Sequence, residues 1–143
     1  MNYTRIALAA IAATVVDMIY GFIVYSMALA SEVSMYGGIF RPIEEVNANL
    51  PWLIIGLVLA MFATSYVYAK GYEAGSRVQQ GLRFGMIIGL LIVGYVAIGN
   101  YVVMRIGKRL AVYMGAAALG EWIVIGLTVG LVYKPTAAVM QGR

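Results

Sequence analysis

The chain has no cysteine and no histidine, and it has few charges of either sign. Without cysteine it can form no disulfide, no thiolate metal site and no cysteine-held iron–sulfur cluster. Without histidine it lacks the usual haem ligand, the imidazole metal ligand and the imidazole acid or base. No cofactor and no metal site is expected on this basis. Lipids, quinones and carotenoids need no such ligands and stay open. Charged residues make up only 11% of the 143, less than half the ~25% of an ordinary soluble domain. No hydrophilic stretch is long enough to fold as a separate soluble domain, and no segment alternates with the period of two that a membrane β-barrel needs.

What the chain does have is apolar runs. It is 63% hydrophobic, with a mean hydropathy of +0.89. Four runs, at residues 6–30, 50–69, 84–104 and 110–133, hold 20 to 25 residues each. About 20 residues cross ~30 Å of hydrocarbon as an α-helix. The expected fold class is therefore all-α, a four-transmembrane-helix bundle made of two antiparallel hairpins, with residues 1–143 forming one membrane domain. The first run resembles a signal peptide at its start, but it extends to Ala30 and contains Asp17, so it reads as a span. Asn49 and Pro51 suit the N-cap and first turn of the second span. Lys134-Pro135 suits the end of the fourth.

The connections differ in character. The first, residues 31–49, is the longest, and Arg41-Pro42-Ile43-Glu44-Glu45-Val46 within it reads as a short helix lying at the interface. The second, residues 70–83, is polar. The third, residues 105–109, is a tight basic turn. Arg5, Lys70, Arg77, Arg83, Lys134 and Arg143 fall on one face, and Arg41, Arg105, Lys108 and Arg109 on the other. Six against four places the first face in the cytoplasm, with both termini there. The net charge of +4 belongs to residues flanking the spans, so it implies headgroup contact and not nucleic acid.

Two acids interrupt the apolar runs. Asp17 lies 12 residues beyond Arg5, and Glu121 lies 13 before Lys134. At 1.5 Å per residue each is ~18–20 Å from the same face, near mid-bilayer. Thr14, Tyr20 and small residues flank Asp17 at helical spacing, and Ala117 and Ala118 flank Glu121, so both acids are expected to point into the bundle. No lysine or arginine shares their depth. Three roles fit a carboxyl in that setting: a neutral group bonding spans together, a proton or cation site, or a dock for a partner's basic group. A paired-carboxylate hydrolase is disfavoured, because no soluble face accompanies the pair.

The third span carries Gly81, Gly85 and Gly89 at four-residue spacing, with Asn100 continuing near that stripe; the fourth carries Gly126 and Gly130. Such stripes let backbones approach. Gly56, Ala60 and Thr64 suggest a third one in the second span. Of the aromatics, 11 are tyrosine. Trp52, Tyr66, Tyr68, Tyr72, Tyr101 and Tyr133 fall near span ends, as an interfacial belt would. Tyr20 and Tyr95 lie deeper and are expected to bond inside.

Gly81-Leu82-Arg83-Phe84-Gly85, Asn100-Tyr101, Glu121 and Gly130-Leu131-Val132-Tyr133-Lys134-Pro135 give residues 81–135 the look of a known group. The chain resembles a family of small uncharacterised bacterial four-helix integral membrane proteins. The resemblance implies four spans and a bacterial inner membrane, and it carries over no activity or catalytic residue. The leading expectation is a non-enzymatic accessory or scaffold subunit of a membrane complex, or a homo-oligomer. Its partners would be the lipid bilayer and other membrane subunits or copies of itself. The alternative is a channel or proton-coupled small-solute carrier using Asp17 and Glu121. An enzyme ranks third, since no nucleophile stands beside a base.

Overall fold

The computed structural model describes residues 1–73 and 75–134. Pro135 and Arg143, which the sequence reading used for a helix stop and for the charge count, lie outside the described residues. The described residues form five helices and no strand. They are α1 (Tyr3–Ala28), the short α2 (Ala30–Ser34), α3 (Ile43–Lys70), α4 (Arg77–Val103) and α5 (Lys108–Val132). The four long ones are long and apolar enough to cross a membrane, which makes this an all-α four-helix bundle of the multi-pass membrane class.

The helices start earlier than hydropathy alone suggests, because polar first turns belong to the helices and not to the loops. α1 is capped at Asn2, whose side chain accepts from the Arg5 N–H at 3.1 Å. α4 takes in Arg77–Arg83, which by hydropathy belong to the second loop, and the chain turns into it through Gly75 at φ 152°, a conformation suited to glycine. The largest correction concerns α3. The expected interfacial helix at residues 41–46 is not separate; Ile43–Val46 begin α3, which runs for 28 residues to Lys70 after the N-cap Pro42. Glu44 and Glu45 sit in its first turn, where the helix dipole favours acids, and Arg41 pairs with Glu45 one turn on at 3.6 Å. Pro51 is thus inside the helix, not in its first turn, and Asn49 caps nothing: its amide donates to the Glu45 carbonyl at 2.8 Å.

Across the bundle the order is α3, α1, α5, α4. The helices alternate in direction, so one end gathers Tyr3, Lys70, Arg77 and Tyr133 (the proximal end) and the other gathers Leu29, Ile43, Val103 and Lys108 (the distal end). α1 is the middle element. Its Ile6, Ala9, Ala10 and Ala13 pack with Met61, Tyr68 and Ala69 of α3 and with Ile125 and Val129 of α5. The alanines are fully buried, because a small side chain brings the helix backbones close enough for many van der Waals contacts, the main attraction between helices in lipid. The packing stripe of α3 is therefore Met61, Ser65 and Ala69, not the anticipated Gly56 stripe. Gly56 has open space around it.

α4 and α5 form the tightest pair. Gly81 and Gly85 lie directly on Gly126, and Gly130 lies on Gly81 and the Arg77 carbonyl. A Cβ built on Gly81 would stand 2.7 Å from the Gly126 carbonyl oxygen, and one on Gly130 would stand 2.8 Å from the Gly81 Cα. The proximal end is closed by a cluster of rings. Tyr68 meets Phe84 edge-on at 5.2 Å and Tyr133 at 5.9 Å, while Tyr72 meets Tyr133 at 5.6 Å. Tyr68, Tyr72 and Tyr133 thus belong to packing between helices and not to an outward-facing belt. The cluster links the ends of α3 and α5 to the start of α4 through edge-to-face contacts.

At the distal end the first connection folds back on the α4–α5 turn. Glu32 of α2 pairs with Arg109 at 2.6 Å, and the Tyr36 hydroxyl accepts from the Gly107 N–H at 3.1 Å.

Candidate functional site: a carboxyl pair between two helices

α1 and α5 meet at mid-length around four side chains that hydrocarbon alone would reject. Asp17 is buried, with 6% of its surface exposed. Its carboxyl lies beside that of Glu121 on α5. The Tyr25 hydroxyl donates to Glu121 Oε2 at 3.1 Å. The Tyr20 hydroxyl donates to the Ala117 carbonyl at 2.9 Å, the same carbonyl that accepts the Glu121 N–H in a regular α-helix. Space for the Tyr20 ring exists because position 120 is glycine; a Cβ there would stand 2.7 Å from the Tyr20 hydroxyl.

Asp17 and Tyr20, three residues apart, share a face of α1 without further help. Tyr25 does not. Eight residues after Asp17, it would lie ~80° off that face in an uninterrupted α-helix. The segment Phe22–Ala28 is a π-helical stretch, ending in the Leu29 N–H bonded to the Val24 carbonyl at 2.9 Å. Its wider turn makes each residue lag and returns Tyr25 toward Asp17. Isolated π turns of this kind gather at functional sites. Helical periodicity in the sequence does not single out Tyr25, since an α-helical wheel points it away from Asp17.

The other candidates fall differently. Thr14 is buried one turn from Asp17, but its hydroxyl donates to the Ala10 carbonyl of its own helix at 2.9 Å. Asn100 does not join the pair. It lies 11 residues past Gly89, ~16 Å along the helix, and a second π turn at Val93–Ala97 carries it off the glycine stripe. Tyr95, expected to bond inside, is 84% exposed, because that same turn faces outward. Gly81, Gly85, Gly89, Gly126 and Gly130 all lie buried on the α4–α5 seam. Among the described residues no three acidic side chains come together as a metal ion would require.

Two buried hydroxyls, Ser65 Oγ and Tyr68 Oη, have no hydrogen-bond partner among the described residues.

No protein-family model, no curated protein and no solved structure matches this chain.

Proposed function

We propose that this chain is a non-enzymatic polytopic protein of a bacterial inner membrane, with both termini cytoplasmic, that acts as an accessory or scaffold subunit of a membrane complex or as a homo-oligomer. The carrying observation is α3. Its 28 residues span ~42 Å, about 12 Å more than the hydrocarbon core. Over residues 43–60 nearly every side chain is exposed, Trp52 at 73% and Leu59 at 66% among them. Only the last third of the helix, from Met61 onward, is held by the rest of the bundle. The exposed portion begins with Glu44, Glu45, Asn47 and Asn49. Because Pro51 has no N–H, the Asn47 carbonyl lacks its helical donor. The polar first turns and the free carbonyl lie in the ~12 Å beyond the hydrocarbon core, where another protein's polar groups can meet them, and the uncovered apolar stretch after Pro51 offers a face to a second helix. The inner-membrane assignment and the family placement rest on the resemblance of residues 81–135, and the orientation rests on the six-to-four basic count.

A second reading, a proton-coupled carrier or channel, is favoured by one observation. Asp17 and Glu121 lie side by side between α1 and α5, with the Tyr25 hydroxyl donating to Glu121, and intramembrane acids are functional candidates by default. One experiment separates the two. Native purification from membranes should yield a stoichiometric protein partner or a defined oligomer without proton flux in proteoliposomes. A lone chain that dissipates a proton gradient, and ceases to when Glu121→Gln is introduced, supports the carrier and removes the scaffold reading.

A further inference from the structure

Beyond the glycine seam α4 and α5 part, and an apolar groove of about 520 Å³, open along one side, runs between them. Sites for small organic ligands fall in the same range, ~300–1,000 Å³. Its floor is made of small groups: Gly115 faces Ala97, with only 3.6 Å between the Ala97 methyl and a Cβ built on Gly115, and Ala111 continues it. Leu90 and Leu119 close the deep end, beside the level of Glu121. Tyr101 and Lys108 stand at the mouth, the distal end of the bundle.

We propose that this groove is a binding site for one anionic phospholipid, its acyl chain lying along the floor and its phosphate on Lys108. Length is the first argument. From Lys108 to Leu119 the groove covers 11 residues, ~16 Å of helix, and one leaflet contributes ~15 Å of the hydrocarbon core. The groove thus runs from headgroup level to midplane, the path of a single chain. Charge is the second. The lining includes a cation and no carboxylate. Among the described residues, Arg109 is engaged by Glu32 and Arg41 by Glu45, whereas Lys108 and Arg105 have no acidic partner. Lys108, one of the two unpaired cations of this end, therefore sits at the groove's mouth. Tyr101 offers a hydroxyl at the depth where headgroups and water meet.

The test is lipid retention measured by native mass spectrometry. Delipidated full-length protein in mild detergent is titrated with phosphatidylglycerol and with phosphatidylcholine of identical chains. One phosphatidylglycerol should be retained per chain, about fivefold more tightly than phosphatidylcholine, as one basic side chain at a headgroup implies. Lys108→Gln should abolish that preference while leaving the size-exclusion profile unchanged. Ala116→Leu, on the exposed lip of the groove, should weaken both lipids alike. Equal retention of the two lipids by the unaltered protein, or an undiminished preference in Lys108→Gln, overturns the proposal. So does a disulfide-linked dimer formed efficiently by Val112→Cys, because a second copy would then occupy the groove.

Discussion

Replacing Gly126 with alanine adds one methyl group at the closest approach of α4 and α5. A Cβ on Gly126 would stand 2.5 Å from both the Gly81 carbonyl oxygen and the Gly85 Cα, and 2.6 Å from the Gly85 nitrogen. Carbon atoms sit comfortably at ~3.5–4.0 Å, so the helices must separate by about 1 Å. All of the atoms involved are backbone, and no rotamer change relieves the clash. A gap of 0.5–1 Å already forfeits a quarter to a half of each contact's attraction, and here the loss extends along the seam from Gly81 to Gly89. Overpacking costs ~1–3 kcal/mol in tight cores, and this site belongs at the upper end, ~3 kcal/mol. The control is Gly56→Ala, where nothing lies within 4 Å; there alanine should gain up to ~1 kcal/mol from helix propensity. Unfolding of both variants in mixed micelles, followed by circular dichroism against denaturant, reads the difference directly. If Gly126→Ala is as stable as Gly56→Ala, the two helices are not in backbone contact and the account of the seam is wrong.

Asp17→Asn and Glu121→Gln should fold normally, since an amide preserves a donor and an acceptor, whereas leucine at either position should lower stability by ~1–3 kcal/mol by stranding its partner; equal stability of the leucine variants would show that the carboxyls do not meet. Tyr25→Phe should cost about 1 kcal/mol in the same unfolding assay, within the range of interhelical bonds in membranes, and an unchanged midpoint would place the hydroxyl elsewhere. Ser65→Ala should raise stability by ~1 kcal/mol, because the Ser65 hydroxyl is buried without a partner; a loss would mean that it bonds in the bilayer. Reporters fused after Gly75 and Arg143 should read as cytoplasmic and one at Gly38 as external, with an external carboxyl terminus refuting the charge count.

The parts of this fold that follow from helical periodicity were legible in the residues. Apolar length and the glycine spacing locate four helices and the α4–α5 seam, and nearly equal distances from Lys134 and Arg5 put Glu121 close to the level of Asp17. The parts that depend on departures from the ideal helix were not. The π turn at Phe22–Ala28 brings Tyr25 to Glu121, and the one at Val93–Ala97 turns Asn100 and Tyr95 away. Neither carries a proline, and glycines such as Gly21 and Gly94 beside or within them recur throughout these spans without marking a π turn. The beginning of α3 was hidden for a different reason. Arg41–Val46 has the composition of an interfacial helix, and only its continuity with Asn47–Leu50 shows that it extends a span. Tyr68 and Tyr133 looked like belt residues because position along a helix does not reveal which side a neighbour covers.

The proposal that α3 is a docking helix is tested most directly by site-specific photo-crosslinking in native membranes. A photoreactive residue at Leu53 or Leu59, both exposed on α3, should give one discrete protein adduct, either a second copy or a single partner of fixed mass. The same probe at Ile87, equally exposed on α4, should give only lipid adducts. Lipid adducts alone at all three positions would contradict the account.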